Sequence, residues 1–340
     1  MSKLYLECNS GISGDMFVAA LLDLGVKQDK LLEALKSLPL SGYEIKISRV
    51  KKAGIDCCDF DVVLDETHET HDHDMEYLYG HDHDHDHSHE DHEHDHEHTH
   101  DHVHPHEHRG MAEITQIINA GHLGQQAKKT ALRIFEILAQ SESKAHGIPV
   151  SEVHFHEVGA VDSIVDVVAA AVCLESLGVG EVIVPSLSEG RGTVRCQHGI
   201  LSIPVPAVSN IVSTHQIPLQ MTNVQGELVT PTGAAIVAAI CTERKLPGTC
   251  IIEKIGIGAG KRAYERPSMV RAMLLSDGEK DPAQKTSNAV DSEQVIYKLE
   301  SNIDDCSGEV LGYLLEQLIE NGARDVHYIP VFMKKNRQTV

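Results

Sequence analysis

A chain of 340 residues, 41% hydrophobic, can bury one or two ordinary cores, which excludes a fully disordered protein. The formal charge of −22 argues against a nucleic-acid partner, because a phosphate backbone demands Lys and Arg. Eight cysteines with no CxxC pair and no regular spacing argue against a disulfide-rich secreted domain and fit a reducing cytoplasm.

The opening run Leu4, Tyr5, Leu6 is too short for an export signal, and the most apolar long stretch, residues 158–177, carries Asp162, Asp166 and Glu175. A soluble cytoplasmic protein without a membrane partner is therefore expected. In chain order, Leu4 and Leu6 predict a strand, and residues 8–14 a loop. Residues 15–24 predict a helix stopped by Gly25, with a second helix over 28–37. Tyr43, Ile45 and Ile47 alternate with polar residues as a half-buried strand does, and residues 59–64 read as its neighbour.

A tract of different composition follows. Of 24 histidines, 17 lie between His68 and His108, mostly alternating with Asp or Glu; His81, His83, His85, His87, His92, His94, His96 and His98 are its densest ligands. Sixteen acidic residues and no Lys or Arg lie between Asp65 and His108, so the rest of the chain carries only −6. Neutral imidazole suits nickel, copper and zinc, and neighbouring carboxylates add attraction for cations. With almost nothing to bury, residues 65–108 are expected to be a disordered metal-binding insertion, either a nickel store or a solvated run whose affinity is incidental.

Beyond the tract, residues 111–146 are helical by spacing with a break near Gly121, and 161–177 form a helix stopped by Gly178. Short strands are expected at 181–184, 192–196, 251–255 and 269–275. A helix starts at Thr232, with Thr230 as N-cap and Pro231 in the first turn. The glycines of residues 256–260 fit no nucleotide loop and read as a bend between strands. Residues 277–290 read as a linker, and 294–303, 309–320 and 325–331 as strand, helix and strand. The fold class is thus mixed α/β (α+β): a main domain over 1–64 and 109–276, then an incomplete ferredoxin-like unit over 291–340.

Three constellations could carry chemistry. In Val153-His-Phe-His-Glu-Val-Gly-Ala-Val-Asp-Ser-Ile-Val-Asp166, His154 and His156 share one side of an extended segment while Asp162 and Asp166 share a helical face. They are candidate metal ligands; the alternative is buried hydrogen-bonding histidines with Asp162 as a helix cap. Ser10-Gly-Ile-Ser-Gly-Asp15 sits where a strand hands over to a helix, a place suited to a phosphate, or is only a tight turn. Gly226-Glu-Leu-Val-Thr-Pro-Thr-Gly-Ala234 is a second such turn, with Glu227 as an acid or base and Thr230 and Thr232 as donors, or is ordinary capping.

Together these motifs, with Leu6-Glu-Cys-Asn-Ser-Gly-Ile-Ser-Gly-Asp-Met16, Glu253-Lys-Ile-Gly-Ile-Gly-Ala-Gly260 and Ser301-Asn-Ile-Asp-Asp305, resemble the LarC-type nickel-insertion family. The resemblance implies insertion of Ni(II) into pyridinium bisthiocarboxylic acid mononucleotide, with consumption of CTP in the presence of Mg or Mn. The product would be the nickel-pincer cofactor delivered to apo lactate racemase. By motif position, His154, His156, Asp162 and Asp166 become metal candidates and Glu227 and Glu157 catalytic candidates. Ser10, Gly11, Ser13, Gly14, Asp15, Thr230 and Thr232 become candidates for holding the cofactor precursor. Family members continue past Met333-Lys-Lys-Asn-Arg337 with Pro-Gly, whereas this chain reads Gln338-Thr-Val340. It therefore resembles the first piece of a frameshifted pair with a truncated CTP-binding domain. The alternative is a nickel store or metallochaperone with no activity alone; homo-oligomerisation is left open.

Overall fold

The computed structural model describes residues 2–65, 109–155, 160–196, 198–277 and 306–329, with 299, 301, 303, 331–333 and 337–339. The His-rich tract, His156, Glu157 and most of residues 278–305 lie outside them. The chain divides into two compact units, Met1–Lys280 and Asp281–Val340.

The first unit starts with β1 (Lys3–Glu7), α1 (Gly14–Asp23), α2 (Gln28–Lys36) and a long hairpin, β2 (Tyr43–Lys52) with β3 (Ile55–Leu64). It resumes after the tract with β4 (Arg109–Gly110), α3 (Met111–Ala120), α4 (Gln125–His146), β5 (His154–Phe155) and α5 (Val161–Leu177). Next come β6 (Glu181–Ile183), β7 (Leu187–Arg191), β8 (Thr193–Cys196), β9 (Gly199–Ser202), α6 (Pro206–Thr214) and β10 (Leu219–Gln225). The unit closes with α7 (Pro231–Ile240), β11 (Cys250–Ala259) and β12 (Met269–Asp277).

Six strands form one mixed sheet in the order β2-β3-β11-β12-β1-β6; β1 runs antiparallel to β12 and parallel to β6. Alternation along β1 sets its two faces. Leu4 and Leu6 are fully buried under the helices, while Tyr5 joins a small cluster of Ile183, Met273 and Leu275 on the other face. Helix α1 lies on the sheet against β11, β3 and β12, α5 packs on α1, and α4 packs on α5, α6 and α7. Ile164, Val165, Val167 and Val168 of α5 are wholly buried, each contributing about 1.5–3 kcal/mol of transfer free energy.

The glycine run read as a bend is instead part of strand β11. A β-carbon on Gly258 would lie 2.0 Å from the Met16 carbonyl oxygen, so the glycine exists to let α1 approach the strand backbone. The break near Gly121 separates α3 from α4 as expected, and the left-handed Gly178 at φ 62° ends α5. In the second unit, α8 (Gly308–Glu320) is capped by Ser307, whose Oγ accepts the Val310 N–H at 3.4 Å. Residues 325–329, expected as a strand, have no regular structure; the strands are β13 (Val331–Met333) and β14 (Arg337–Thr339), an antiparallel pair.

Candidate functional site

The two turns singled out in the sequence meet. Ile12 N–H donates to Leu228 O at 3.0 Å and Thr230 N–H donates to Ile12 O at 3.1 Å, so Ile12 and Val229 form an isolated parallel bridge. The β1–α1 loop is fixed from its other side where Ser188 N–H donates to Cys8 O at 3.1 Å. Thr230 caps α7: its Oγ1 accepts the Gly233 N–H at 3.1 Å, and Pro231 follows in the first turn. Ser10, Glu227 and Thr232 are all buried within this composite loop, and Ser13 Oγ donates to Asp15 Oδ1. The first turns of α1 and α7 thus stand side by side, each presenting the positive end of a helix dipole.

A second group adjoins the first. Asp166, one turn into α5, lies over Gly14, its Oδ2 2.6 Å from where a β-carbon on that glycine would stand. Asp166 is partly exposed as a residue, yet its Oδ1 is enclosed and has no hydrogen-bond partner among the described residues. Burial, and then the Asp15 and Asp162 carboxylates, push its pKa well above the usual carboxylate range; Lys261 and the Asp15 N–H oppose them. Lys261 is itself tied to Asp59 at 2.8 Å and Asp61 at 3.2 Å on β3. Three carboxylates from α1 and α5 therefore share one small region, an arrangement that attracts a cation and disfavours three simultaneous free charges.

The other expected ligands are placed differently. Asp162 sits in the first turn of α5, whose N-cap is Ala160, so it is not the cap residue. His154 is exposed on β5 and faces Gly110 in the two-residue β4–β5 ladder. His156, Glu157 and the tract histidines lie outside the described residues. Among the described residues, no set of three His, Cys, Asp or Glu side chains is already spaced around a metal position.

Residue reading alone missed the segment between β11 and β12. Arg262 Nη1 donates to Glu227 Oε2 at 3.1 Å, Tyr264 OH donates to Glu227 O at 2.8 Å, and Arg266 Nη1 donates to Asn9 O at 2.6 Å. This strap clasps both turns and brings guanidinium groups to them. It also missed Glu189 on β7, which is fully buried and accepts from Leu228 N–H at 2.7 Å and Val229 N–H at 3.3 Å. The only sequence signal was the density of Arg and Lys in residues 261–266.

Residues 4–340 match the family described as nickel insertion protein. The chain belongs to that family. Its relatives include the pyridinium-3,5-bisthiocarboxylic acid mononucleotide nickel insertion protein of Alkaliphilus metalliredigens, 48% identical over 99% of this chain and 76% of that protein. Proteins of the same name from Clostridium acetobutylicum and Geobacillus kaustophilus are 46% and 39% identical, over 99% and 100% of this chain and 76% and 75% of theirs. No solved structure matches the chain. Among the described residues, no helix is long and apolar enough to cross a membrane.

Proposed function

We propose that this chain is a chelatase, or the N-terminal part of one, that inserts Ni(II) into pyridinium-3,5-bisthiocarboxylic acid mononucleotide. The observation that carries the reading is the junction of two helix-leading turns, clasped by arginines, beside the Asp15–Asp162–Asp166 carboxylates. An anionic mononucleotide suits the turns and the strap, with Ser10, Gly11, Ser13, Gly14, Thr230 and Thr232 around its phosphate. A divalent cation suits the carboxylates, with Asp162 and Asp166 as its candidate ligands; His154 and His156 remain metal candidates by motif position. Oxygen ligands hold Ni(II) more loosely than the soft thiocarboxylate sulfurs that receive it, so transfer runs toward the precursor.

Forming the nickel–carbon bond replaces one ring C–H, whose proton must leave to a base; Glu227, held by Arg262 and Tyr264 through its side chain and carbonyl, is the candidate within the described residues. Glu157 remains the second candidate by motif position. CTP with Mg or Mn is assigned to the second unit, read as part of a ferredoxin-like domain, and the product is intended for apo lactate racemase. The His-rich tract favours one further reading, a nickel store that catalyses nothing alone. Incubation of the chain with precursor, nickel and CTP·Mg, followed by mass analysis for gain of one nickel and loss of one proton, separates the two. Product is expected from the wild type and not from Asp162→Ala or His154→Ala, with nickel on the tract unchanged. Nickel binding without product from any form would leave only the store.

A further inference from the structure

We infer that Glu189 is a positioning residue that fixes the residue 227–230 turn through the reach of one carboxyl oxygen, and thereby sets where Glu227 and Arg262 stand for the precursor. The inference rests on the proposed function for its consequence, and on geometry alone for its mechanism. Glu189 is 0% exposed in the middle of β7, opposite Met221 of β10. Its Oε1 accepts three backbone N–H groups: Gly190 at 2.7 Å, Leu228 at 2.7 Å and Val229 at 3.3 Å. Successive backbone N–H groups aimed at one point make an anion-binding concavity. Here the anion is built into the fold.

Two consequences follow. The Leu228 and Val229 N–H groups are already donated inward, so this turn serves the ligand with side chains and not with those amides. The turn is also fixed before any ligand arrives, which lowers the ordering cost of binding. Glu189 Oε2 is buried without a hydrogen-bond partner among the described residues, a cost that a merely structural acceptor such as a backbone carbonyl would not carry. Burial raises the Glu189 pKa, while the three N–H bonds and Arg262 lower it. Arg262 therefore sits within electrostatic reach of Glu189 while bonded to Glu227. Moving the carboxyl would disturb the turn and its strap together.

The test uses three variants of the full chain. Glu189→Gln keeps the reach and an accepting oxygen but drops the charge; Glu189→Asp keeps the charge but shortens the reach by one methylene; Glu189→Ala removes both. Hydrogen exchange at the Leu228 and Val229 amides should be at least tenfold faster in the Asp and Ala variants and within threefold of wild type in Gln. Calorimetric affinity for the precursor mononucleotide should fall at least tenfold in Asp and stay within threefold in Gln, whose folding does not depend on the Ala variant surviving. Asp behaving as wild type while Gln fails would make charge the decisive property and overturn the inference, as would equal amide protection in all variants. If wild type has no affinity for the mononucleotide, the proposed function fails, and the exchange rates alone then decide whether Glu189 holds the turn.

Discussion

Asp166 is seated on Gly14: its Oδ2 lies 2.6 Å and its Cβ 2.9 Å from the place a β-carbon on that glycine would occupy. The first turn of α1 and the second turn of α5 can approach this closely only because position 14 has no side chain. Replacing Gly14 with Ala should force the Asp166 backbone or rotamer to shift, since the blocking atoms include its Cβ and not only its flexible tip. The expected loss is about 1–3 kcal/mol in urea denaturation, the usual size of an overpacking penalty. Unchanged stability would show that α5 yields freely at this point.

The same carboxyl gives a pH prediction. Burial and the neighbouring Asp15 and Asp162 raise the folded pKa of Asp166 well above its unfolded value of about 3.9. A raised pKa means that the contribution to stability is fully present below the unfolded value and is lost as pH rises through the folded one. Asp166→Asn, which cannot ionise, should therefore be more stable than wild type at pH 8 in metal-free buffer. The gain comes from removing a buried charge and its repulsion by Asp15 and Asp162, since Asn keeps the polar atoms but cannot ionise. Melting curves from pH 8 down to about 4 should show the advantage shrinking; an advantage that grows on acidification would reverse the sign and refute it.

Metal capacity should reside in the tract. The flanks are tied to the fold, with Asp65 N–H donating to Gly42 O at 3.0 Å and Arg109 paired with Phe155, so a short Gly-Ser linker can replace residues 68–108. Metal analysis should show most bound nickel gone, while unfolding remains cooperative with a midpoint within about 2 °C of wild type, since 17 histidines and 14 acidic residues supply almost no core. Zinc should compete with nickel on the intact chain, because imidazole and carboxylate do not exclude it. Nickel binding untouched by excess zinc would assign the metal to a shaped site elsewhere.

What the sequence made legible was local. Alternation at Tyr43, Ile45 and Ile47, the Gly121 break, the Gly178 stop and the Thr230-Pro231 cap each depend on neighbours a few residues away, and each stands in the structure. The bridge between Ile12 and Val229 joins segments far apart in the chain through backbone atoms, which leave no side-chain pattern to read. Glu189 was invisible for the same reason: its partners are amides, and any sequence supplies those. Residues 256–260 misled because a glycine serves a bend and a close helix approach equally well, and only the position of helix α1 distinguishes them. Both candidate turns were found from composition, but nothing in either indicated that they touch.

The strap offers the sharpest contrast between two arginines. Arg262, 23% exposed at its side chain, donates to a Glu227 side chain that is only 8% exposed, whereas Arg49, 49% exposed, pairs with Asp23, 18% exposed, and with Asp56, 57% exposed. Arg262→Met keeps the apolar stem but withdraws the guanidinium from a buried carboxylate, which should cost about 1–3 kcal/mol. Affinity for the mononucleotide should fall at least tenfold, and Arg262→Lys should recover only part of it, since the shorter lysine would have to place its ammonium where Nη1 alone now bonds both Oε2 and the carbonyl of Glu227. Arg49→Met, losing a solvent-screened pair, should cost no more than about 1 kcal/mol and leave that affinity unchanged. Denaturation and calorimetry on the three variants would decide it: equal losses of affinity at Arg262 and Arg49 would mean that the mononucleotide responds to the general field of the protein and not to the strap.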